Sequence, residues 1–396
     1  MPLPTPFHTR TAGLNTLHEW RDWSGYLGAG LYDLSHEREY YAFRNSAGLL
    51  DVSPLFKYHV SGPDAGRLLN RVMTRNMARC AVGQVVYSPW CDDDGKMLDD
   101  GTITRLDETE FRLTAADPNL RWFQDAGLGL NATVTDISTD LAALALQGPK
   151  SRLILADVVR GVNLAKLGFF HYAEGQVDDF PVSITRTGYT GDLGYELWVD
   201  PKHAERLWDI LLERGSPYLI TPAGLVALDI ARIEAGFPLI DVDYVPARKA
   251  LIEVQKSSPY EVNMGWAVAL NKGYFIGRPA LLAEKQQGSK WAFVGLELDW
   301  AEIEALYRAV NLTPKLAGRA SRSSVPIYYE EKQIGQATSH TFSPLLKKYI
   351  ALATIHREHA AVGTKLRMEM TVEFVRHQVS ATVVKLPFFD PERKRM

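Results

Sequence analysis

The sequence predicts an α+β protein of three domains, the last of which is a small β-barrel. The chain has 396 residues, which is more than a single hydrophobic core usually supports. Segments of strand and helix character alternate between residues 54 and 139, and this alternation is typical of mixed packing on one sheet. After residue 290, short strand-like segments recur at turn-bounded spacing, which is typical of a small barrel or jelly roll.

The first domain is expected to be discontinuous, with residues 1–53 joined to residues 140–284. Residues 35–44 have the character of a helix. Residues 141–147 are apolar almost throughout, and such a run suits a central strand that is buried on both faces. The N-terminal segment is therefore part of a domain.

Two further helices are expected in this domain. Residues 203–214 place leucine and isoleucine on one side, as an amphipathic helix does. The next helix is expected to take Thr221 as its N-cap and Pro222 as its first residue, and to stop at Gly236.

The second domain is expected to span residues 54–139 and the third residues 285–396, after a Lys-, Gln- and Gly-rich linker. The expected elements of the second domain are strand 57–60, helix 64–73, strands 84–91, 96–106 and 110–114, a helix near 118–126, and strand 132–137. The expected barrel strands are 291–298, 324–329, 333–338, 349–355, 364–368 and 379–385.

Composition excludes several classes of protein. The net charge of −3 and the pI of about 6.4 provide no basic surface for nucleic acid or anionic lipid. No apolar run approaches the roughly 20 residues of a membrane span, and residues 1–20 lack the pattern of a signal peptide. We therefore expect a cytoplasmic protein without nucleic-acid or membrane partners, in which Cys80 and Cys91 are reduced thiols.

A glycine-rich stretch from residue 186 to residue 199 predicts a hairpin that carries a carboxylate in mid-strand. Tyr195, Leu197 and Val199 share one face of its second strand, while Glu196 and Trp198 share the other. A carboxylate beside a tryptophan loses hydration and needs hydrogen-bond donors, and nearby glycines permit positive φ or a close approach of the backbone to a ligand. The alternative is an ordinary hairpin in which Glu196 faces water.

Asp99 and Asp100 form a second candidate site, because consecutive strand residues face opposite sides and one of the two must face the core or a cleft. The alternative is a strand end with both carboxylates in water. No metal site is expected. The acidic run before Gly95 does not fit a calcium loop, and His356 and His359 have no cysteine or acidic ligands at metal spacing.

Three sequence segments resemble the glycine cleavage T-protein (aminomethyltransferase) family. They are RTGYTGDLGYEL at 186–197, ALQGP at 145–149 and GLVALDIARIEAG at 224–236. The resemblance extends over nearly the whole chain. It implies a ring-like, three-domain, folate-binding aminomethyltransferase fold, with tetrahydrofolate in a central cavity between the first two domains.

The resemblance also implies roles for individual residues. Asp100 matches the family's catalytic aspartate, an anion that would steady the cationic carbon or the proton on N5 of tetrahydrofolate. Positions that would bind tetrahydrofolate are Tyr87, Tyr189, Glu196, Asp117 and Trp266. Glu196 would accept hydrogen bonds from the two adjacent donors of the pterin edge.

Three segments depart from the T-protein pattern. Leu55 follows Ser53-Pro54 where a T-protein usually has Ser-His-Met, Leu228 replaces an arginine, and residues 115–118 replace an Asn-Ala-x-Asn segment. Ala116-Asp117 with Trp122 is similar to a segment of folate-dependent demethylases such as the dimethylsulfoniopropionate demethylases. The loop from residue 241 to residue 258 is also longer than that of a T-protein.

We therefore expect an enzyme that transfers a one-carbon unit to tetrahydrofolate from a small N-, S- or O-methylated molecule. An aromatic-rich N-terminal segment could hold an onium donor. One alternative is a T-protein that acts on an aminomethyl-lipoyl carrier protein. Another is a non-catalytic folate-binding protein, although KGYFIG at 272–277 lacks the cysteine of that branch. A scaffold without a ligand is the third.

Overall fold

The computed structural model describes residues 1–315 and 318–396. Its α-helices are α1 His8–Leu14, α2 Glu37–Asn45, α3 Ala65–Val72, α4 Leu120–Ala126, α5 Ser151–Val158, α6 Ala204–Gly215, α7 Leu225–Glu234, α8 Arg278–Gln287 and α9 Trp300–Ala309. Its strands are β1 Trp20–Trp23, β2 Tyr26–Ala29, β3 Ala47–Asp51, β4 Phe56–Ser61, β5 Val85–Cys91, β6 Met97–Asp107, β7 Glu110–Ala115, β8 Thr133–Asp136, β9 Ala142–Gln147, β10 Val159–Arg160, β11 Tyr172–Val177, β12 Phe180–Thr185, β13 Gly194–Val199, β14 Ile220–Pro222, β15 Trp291–Leu298, β16 Val325–Tyr329, β17 Lys332–Ser343, β18 Lys348–His356, β19 Lys365–Val372 and β20 Val375–Val384.

The first large unit is a seven-stranded sheet in the order β10-β11-β12-β13-β9-β3-β14. The apolar run of β9 lies inside this sheet, and all six of its residues are buried. Tyr195 and Leu197 of β13 pack with Trp208 of α6 into the main core on one face. Trp198 belongs to a separate cluster on the other face, so the expected alternation along β13 is observed.

The second unit is a five-stranded antiparallel sheet in the order β5-β6-β7-β4-β8. Helices α3 and α4 cover it, and Leu69, Phe123, Trp90 and Tyr58 are fully or almost fully buried in the shared core.

The β12–β13 hairpin of the seven-stranded sheet is also as expected, with Thr185 opposite Glu196.

The third unit is a closed barrel in the order β15-β18-β17-β16-β19-β20. This confirms the predicted C-terminal β-barrel and the predicted mixture of helices and strands. Of the two alternatives for the last domain, a barrel and a jelly roll, the structure has the barrel. Helix α7 packs against the barrel, where Arg232 donates to Ser339 Oγ at 2.8 Å. Helix α9 was not expected. The exact domain boundaries, 1–53 with 140–284, 54–139 and 285–396, stay a prediction.

The predicted start of α7 is wrong. Thr221 and Pro222 lie in β14, which pairs in parallel with β3 so that Thr221 is opposite Gly48. The helix begins only at Leu225, after Gly224. Pairing with a strand distant in sequence therefore overrides the local capping signal. Within residues 1–315 and 318–396, no helix combines the length and apolar character needed to cross a membrane.

Candidate functional site

Two consecutive aspartates lie near the start of β6, the second strand of the five-stranded sheet, and one of them is enclosed by protein. Asp99 is fully buried. Its carboxylate accepts hydrogen bonds from the backbone N–H of Asp117 at 2.9 Å and the side-chain amide of Asn119 at 2.8 Å. The backbone N–H of Asp100 donates a third, at 2.8 Å. Asp99 thus fixes the segment that follows β7, while burial raises its pKa well above the usual value.

Asp100 projects to the other side of β6 and lies between two tyrosine hydroxyls. Tyr87 donates to one carboxylate oxygen at 2.6 Å, and Tyr244 donates to the other. Burial raises the pKa of Asp100, and the two hydroxyl hydrogen bonds offset part of that rise. Unlike Asp99, Asp100 keeps partial solvent access. The alternation of side chains along a strand explains why one aspartate is sealed and the other is open.

An aromatic pair flanks Asp100. The rings of Tyr87 and Trp266 stack with centroids 6.0 Å apart and planes 21° apart. Trp266 is 63% exposed, and the guanidinium of Arg75 lies 5.5 Å from its ring centroid. The structure therefore brings Tyr87 and Trp266 together beside Asp100, with one flat face that a ring could cover.

Glu196 lies on the face of the seven-stranded sheet that is opposite the main core. Its Oε2 accepts a hydrogen bond from Thr187 Oγ1 at 2.6 Å and a longer one from Thr185 Oγ1 at 3.4 Å. Its Oε1 accepts no hydrogen bond from the residues that the structure describes. Burial raises the pKa of Glu196, and the Thr187 hydrogen bond and the charge of Arg112 offset part of the rise. One carboxylate oxygen is thus fixed and the other is available.

Of the three glycines around Glu196, one has the expected positive φ and two have a role that was not expected. Only Gly191 has a positive φ, 74°. A Cβ on Gly188 or Gly194 would lie 2.0 or 2.1 Å from the side-chain amide of Gln147. Two of the three glycines therefore make room for a buried glutamine of β9, and the expected approach of a ligand to this backbone is not needed to explain them.

Arg112, which the sequence did not single out, reaches from the five-stranded sheet toward Glu196. Its guanidinium lies over the ring of Trp198, 4.4 Å from the centroid. Arg112 is only 3% exposed, yet its Nη2 has no hydrogen-bond partner among the described residues. Burial lowers the pKa of Arg112 to about 10, although the charges of Glu196 and Glu174 act in the opposite direction. No local pattern distinguishes it, because its environment depends on how the two sheets face each other.

Tyr189 lies near enough to Asp100 for the charge of that carboxylate to act on it. Its ring stacks on Phe237, with centroids 5.4 Å apart, and its hydroxyl donates to the backbone carbonyl of Pro238. Burial is the main cause of the raised pKa of Tyr189, and the charge of Asp100 adds to the rise. Its hydroxyl is thus already engaged, and its ring is what it can present to a ligand.

Asp117 is paired with cations of this chain. Its carboxylate lies 3.0 Å from Arg248 Nη2 and 2.7 Å from Lys249 Nζ, and both cations belong to the long loop between residues 241 and 258. Tyr244 of the same loop is the donor to Asp100. A role for Asp117 in cofactor binding stays a prediction, and in this structure the carboxylate holds the loop over the site.

The segments that depart from the T-protein pattern come together in space. Leu55, Leu228 and Trp23 are partly buried, and all three pack against one cluster of buried apolar residues that includes Trp198. The hydroxyl of Ser24 donates to the carbonyl of Ala116 at 3.1 Å, which ties the β1–β2 turn to the third departing segment. An apolar surface therefore adjoins the face that carries Glu196.

The fold combines two sheets and a barrel, and the carboxylates of Asp100 and Glu196 lie near aromatic side chains. A carboxylate beside flat aromatic surfaces is typical of enzymes that bind a small organic ligand. Residues 8–272 match the GCVT N-terminal domain, and residues 308–390 match the glycine cleavage T-protein C-terminal barrel domain. The chain belongs to the glycine cleavage T-protein family, whose members are folate-dependent transferases. The resemblance inferred from the sequence motifs is thereby confirmed.

Individual relatives fall into two groups. The chain is 34% identical to the trimethylamine-oxide aldolase of Ruegeria pomeroyi over all of its own length, but it spans only 48% of that protein. It is 35% identical to the aminomethyltransferase of Halothermothrix orenii, covering 88% of this chain and 90% of the relative. The crystal structure of glycine cleavage system aminomethyltransferase T from Bartonella henselae matches with a TM-score of 0.82, at 26% identity, over 98% of this chain and 99% of that one.

Proposed function

We propose that the protein transfers a one-carbon unit from a free, small N-, S- or O-methylated molecule to N5 of tetrahydrofolate. The observation that carries this proposal is that the partly buried side chains of Leu55 and Leu228 pack against the same apolar cluster. Leu228 stands where a T-protein usually has an arginine, so an apolar side chain replaces a charged one at this surface, beside Leu55. Such a surface suits methyl groups better than it suits a polar aminomethyl adduct on a carrier arm.

The site residues fit tetrahydrofolate. Glu196 has one oxygen held by Thr187 and one without a donor in the described residues, so a carboxylate is available to the adjacent donors of a pterin edge. The stacked pairs Tyr87–Trp266 and Tyr189–Phe237 supply flat surfaces. Tetrahydrofolate would supply the nucleophile, because its N5 lone pair takes the one-carbon unit while the bond from that carbon to the heteroatom breaks and N5 releases a proton.

Asp100 would provide the negative charge at this point. Its carboxylate is held by the hydroxyls of Tyr87 and Tyr244 and retains partial solvent access. It would accept the proton released at N5 or steady positive charge on the transferred carbon. Alignment of the reacting groups contributes up to roughly 7–11 kcal/mol in well-held pairs, and the loop fixed by Asp117 would maintain that alignment and exclude water.

The donor would lie against the apolar cluster, next to the partly exposed indole ring of Trp23. Methylated onium groups are bound by aromatic faces through cation–π interactions. The relative that matches this chain along its whole length is named for trimethylamine oxide, a small N-methylated compound. That name supports a free methylated donor, which needs no carrier protein.

The second candidate is an aminomethyltransferase that acts on an aminomethyl-lipoyl carrier protein. It is favoured by relatives of that name, one of which is 36% identical and is covered over 90% of its length. The barrel domain is common to both candidates and does not separate them.

A donor screen separates the candidates. Purified protein and tetrahydrofolate are incubated with trimethylamine N-oxide, with a methylsulfonium such as dimethylsulfoniopropionate, or with aminomethylated carrier protein. We expect 5-methyltetrahydrofolate with a free donor, measured by mass spectrometry, and no ammonia with the carrier. Rapid carrier-dependent release of ammonia would restore the T-protein assignment. Saturable folate binding without turnover of any donor would favour a non-catalytic folate-binding protein.

A further inference from the structure

We propose that Arg112 recognises the 4-oxo group of the pterin ring, so that Arg112 and Glu196 together bind one edge of tetrahydrofolate. The inference rests on the proposed function, because it assigns a specificity residue to the same site. It begins from a buried cation, the Arg112 guanidinium, whose Nη2 finds no hydrogen-bond partner among residues 1–315 and 318–396.

Arg112 and Glu196 face each other across the two sheets without forming an ion pair. Arg112 projects from β7 of the five-stranded sheet and covers Trp198, which is two residues from Glu196 on the same face of β13. The charge of each acts on the pKa of the other. Nevertheless Nη2 of Arg112 has no partner, and Oε1 of Glu196 accepts nothing from the described residues.

Opposite charges in a protein interior normally close into contact, because a buried charge without a partner is unfavourable. Here no hydrogen bond joins the two side chains in the part of the chain that the structure describes, and Thr187 fixes one oxygen of Glu196. A group that occupies the space between them must offer a hydrogen-bond donor to Glu196 and an acceptor to Arg112. The geometry therefore selects a ligand edge on which donor and acceptor are adjacent.

The lactam of a pterin has that arrangement, with the N3–H donor next to the O4 acceptor. The 2-amino group adds a second donor on the side of Glu196. A free carboxylate would satisfy Arg112 but would be repelled by Glu196, so the pair disfavours a carboxylate at this position. The site thus distinguishes a 4-oxo pterin from a 4-amino pterin, which has a donor in place of O4 and no hydrogen on N3.

The test compares two ligands and two variants by titration calorimetry. Wild-type protein is expected to bind tetrahydrofolate about 100-fold more tightly than 4-amino-4-deoxytetrahydrofolate, since both polar contacts are lost or reversed in the analogue. Arg112→Met is expected to weaken tetrahydrofolate binding by about 10- to 100-fold and to change binding of the 4-amino analogue by less than about threefold. Arg112→Lys, which retains a cationic donor, should retain part of the discrimination. Arg121→Met, which removes an exposed arginine of the same domain, is the matched control and should behave as wild type.

Thermal unfolding without ligand distinguishes recognition from a structural role. Removing a buried guanidinium that lacks a partner should leave the melting temperature of Arg112→Met equal to that of the wild type or higher. If Arg112 serves only to pack on Trp198, the variant will melt at a lower temperature and lose affinity for both ligands equally, and the inference is overturned. Unchanged tetrahydrofolate affinity in Arg112→Met would overturn it too, while the proposed function would stand. Absence of tetrahydrofolate binding by the wild type would overturn both.

Discussion

Replacing Glu196 with glutamine is expected to weaken tetrahydrofolate binding by about 1.5–3 kcal/mol, the range for a hydrogen bond to a charged group. At about 1.4 kcal/mol per factor of ten, this corresponds to roughly a 10- to 150-fold rise in Kd. The structure supports the full range, since Glu196 Oε1 receives no hydrogen bond from the described chain and Oε2 is held by Thr187 at 2.6 Å. Glutamine keeps the shape and the Thr187 contact but loses the charge.

The dependence of Kd on pH tests directly whether the ionised carboxylate of Glu196 binds tetrahydrofolate. Burial raises the pKa of Glu196 above its usual value, and the ionised carboxylate is the form that binds pterin donors. Affinity is therefore expected to fall as the pH decreases through this raised pKa, beginning at a higher pH than for an exposed glutamate. Glu196→Gln should lack that acidic decrease, because it has no proton to take up at this position.

A second glutamate provides the control. Glu174 is exposed on β11, and its charge also acts on Arg112, so Glu174→Gln tests whether a long-range charge effect is sufficient. We expect its Kd and pH profile to match those of the wild type. The reasoning would be refuted by a Glu196→Gln variant with unchanged affinity, which would mean that the carboxylate faces water, or by an equal loss in Glu174→Gln.

The other predictions concern the aspartate pair and the apolar cluster. Asp100→Asn should abolish turnover while tetrahydrofolate affinity stays within about tenfold, because charge is removed with little change of shape; a full rate would show that Asp100 is not catalytic. Asp99→Ala should lower the melting temperature, because each buried donor left unsatisfied reduces the free energy of unfolding by about 1–3 kcal/mol. An unchanged melting temperature would contradict the role of Asp99 as an anchor. Leu228→Arg should raise KM for a free methylated donor by at least about tenfold and change tetrahydrofolate affinity by less than about threefold; an unchanged KM would show that the cluster does not touch the donor.

Features of the site that depend on local alternation could be predicted from the sequence. Glu196 and Trp198 share a face because strand side chains alternate, and the same rule separates Asp99 from Asp100. The long β9 run identified a central strand because its six residues lack polar side chains apart from Gln147. These predictions require only the period of a strand.

Features that depend on distant contacts were missed or misplaced. Tyr244 donates to Asp100 from 144 residues away, and no sequence pattern connects the two. The capping signal at Thr221 was overridden by pairing with β3. In the sequence Arg112 is an ordinary strand arginine. Its environment depends on how the five-stranded sheet packs against Trp198 of the other sheet, and a local pattern cannot predict that packing.

The position of β3 in the seven-stranded sheet has a consequence for the order of folding. β3 lies between β9 and β14, and both of its neighbours follow it by many residues, with all five strands of the other sheet between β3 and β9. During synthesis the five-stranded sheet can form its hydrogen bonds before β9 and β14, the two strands that pair with β3, have been made. Gly48 pairs with Gln147, so the chain leaves the large sheet and returns to it through adjacent strands. The large sheet is thus closed late around an inserted unit that can already be folded, and the surfaces that carry Glu196 and Arg112 meet only at that final step.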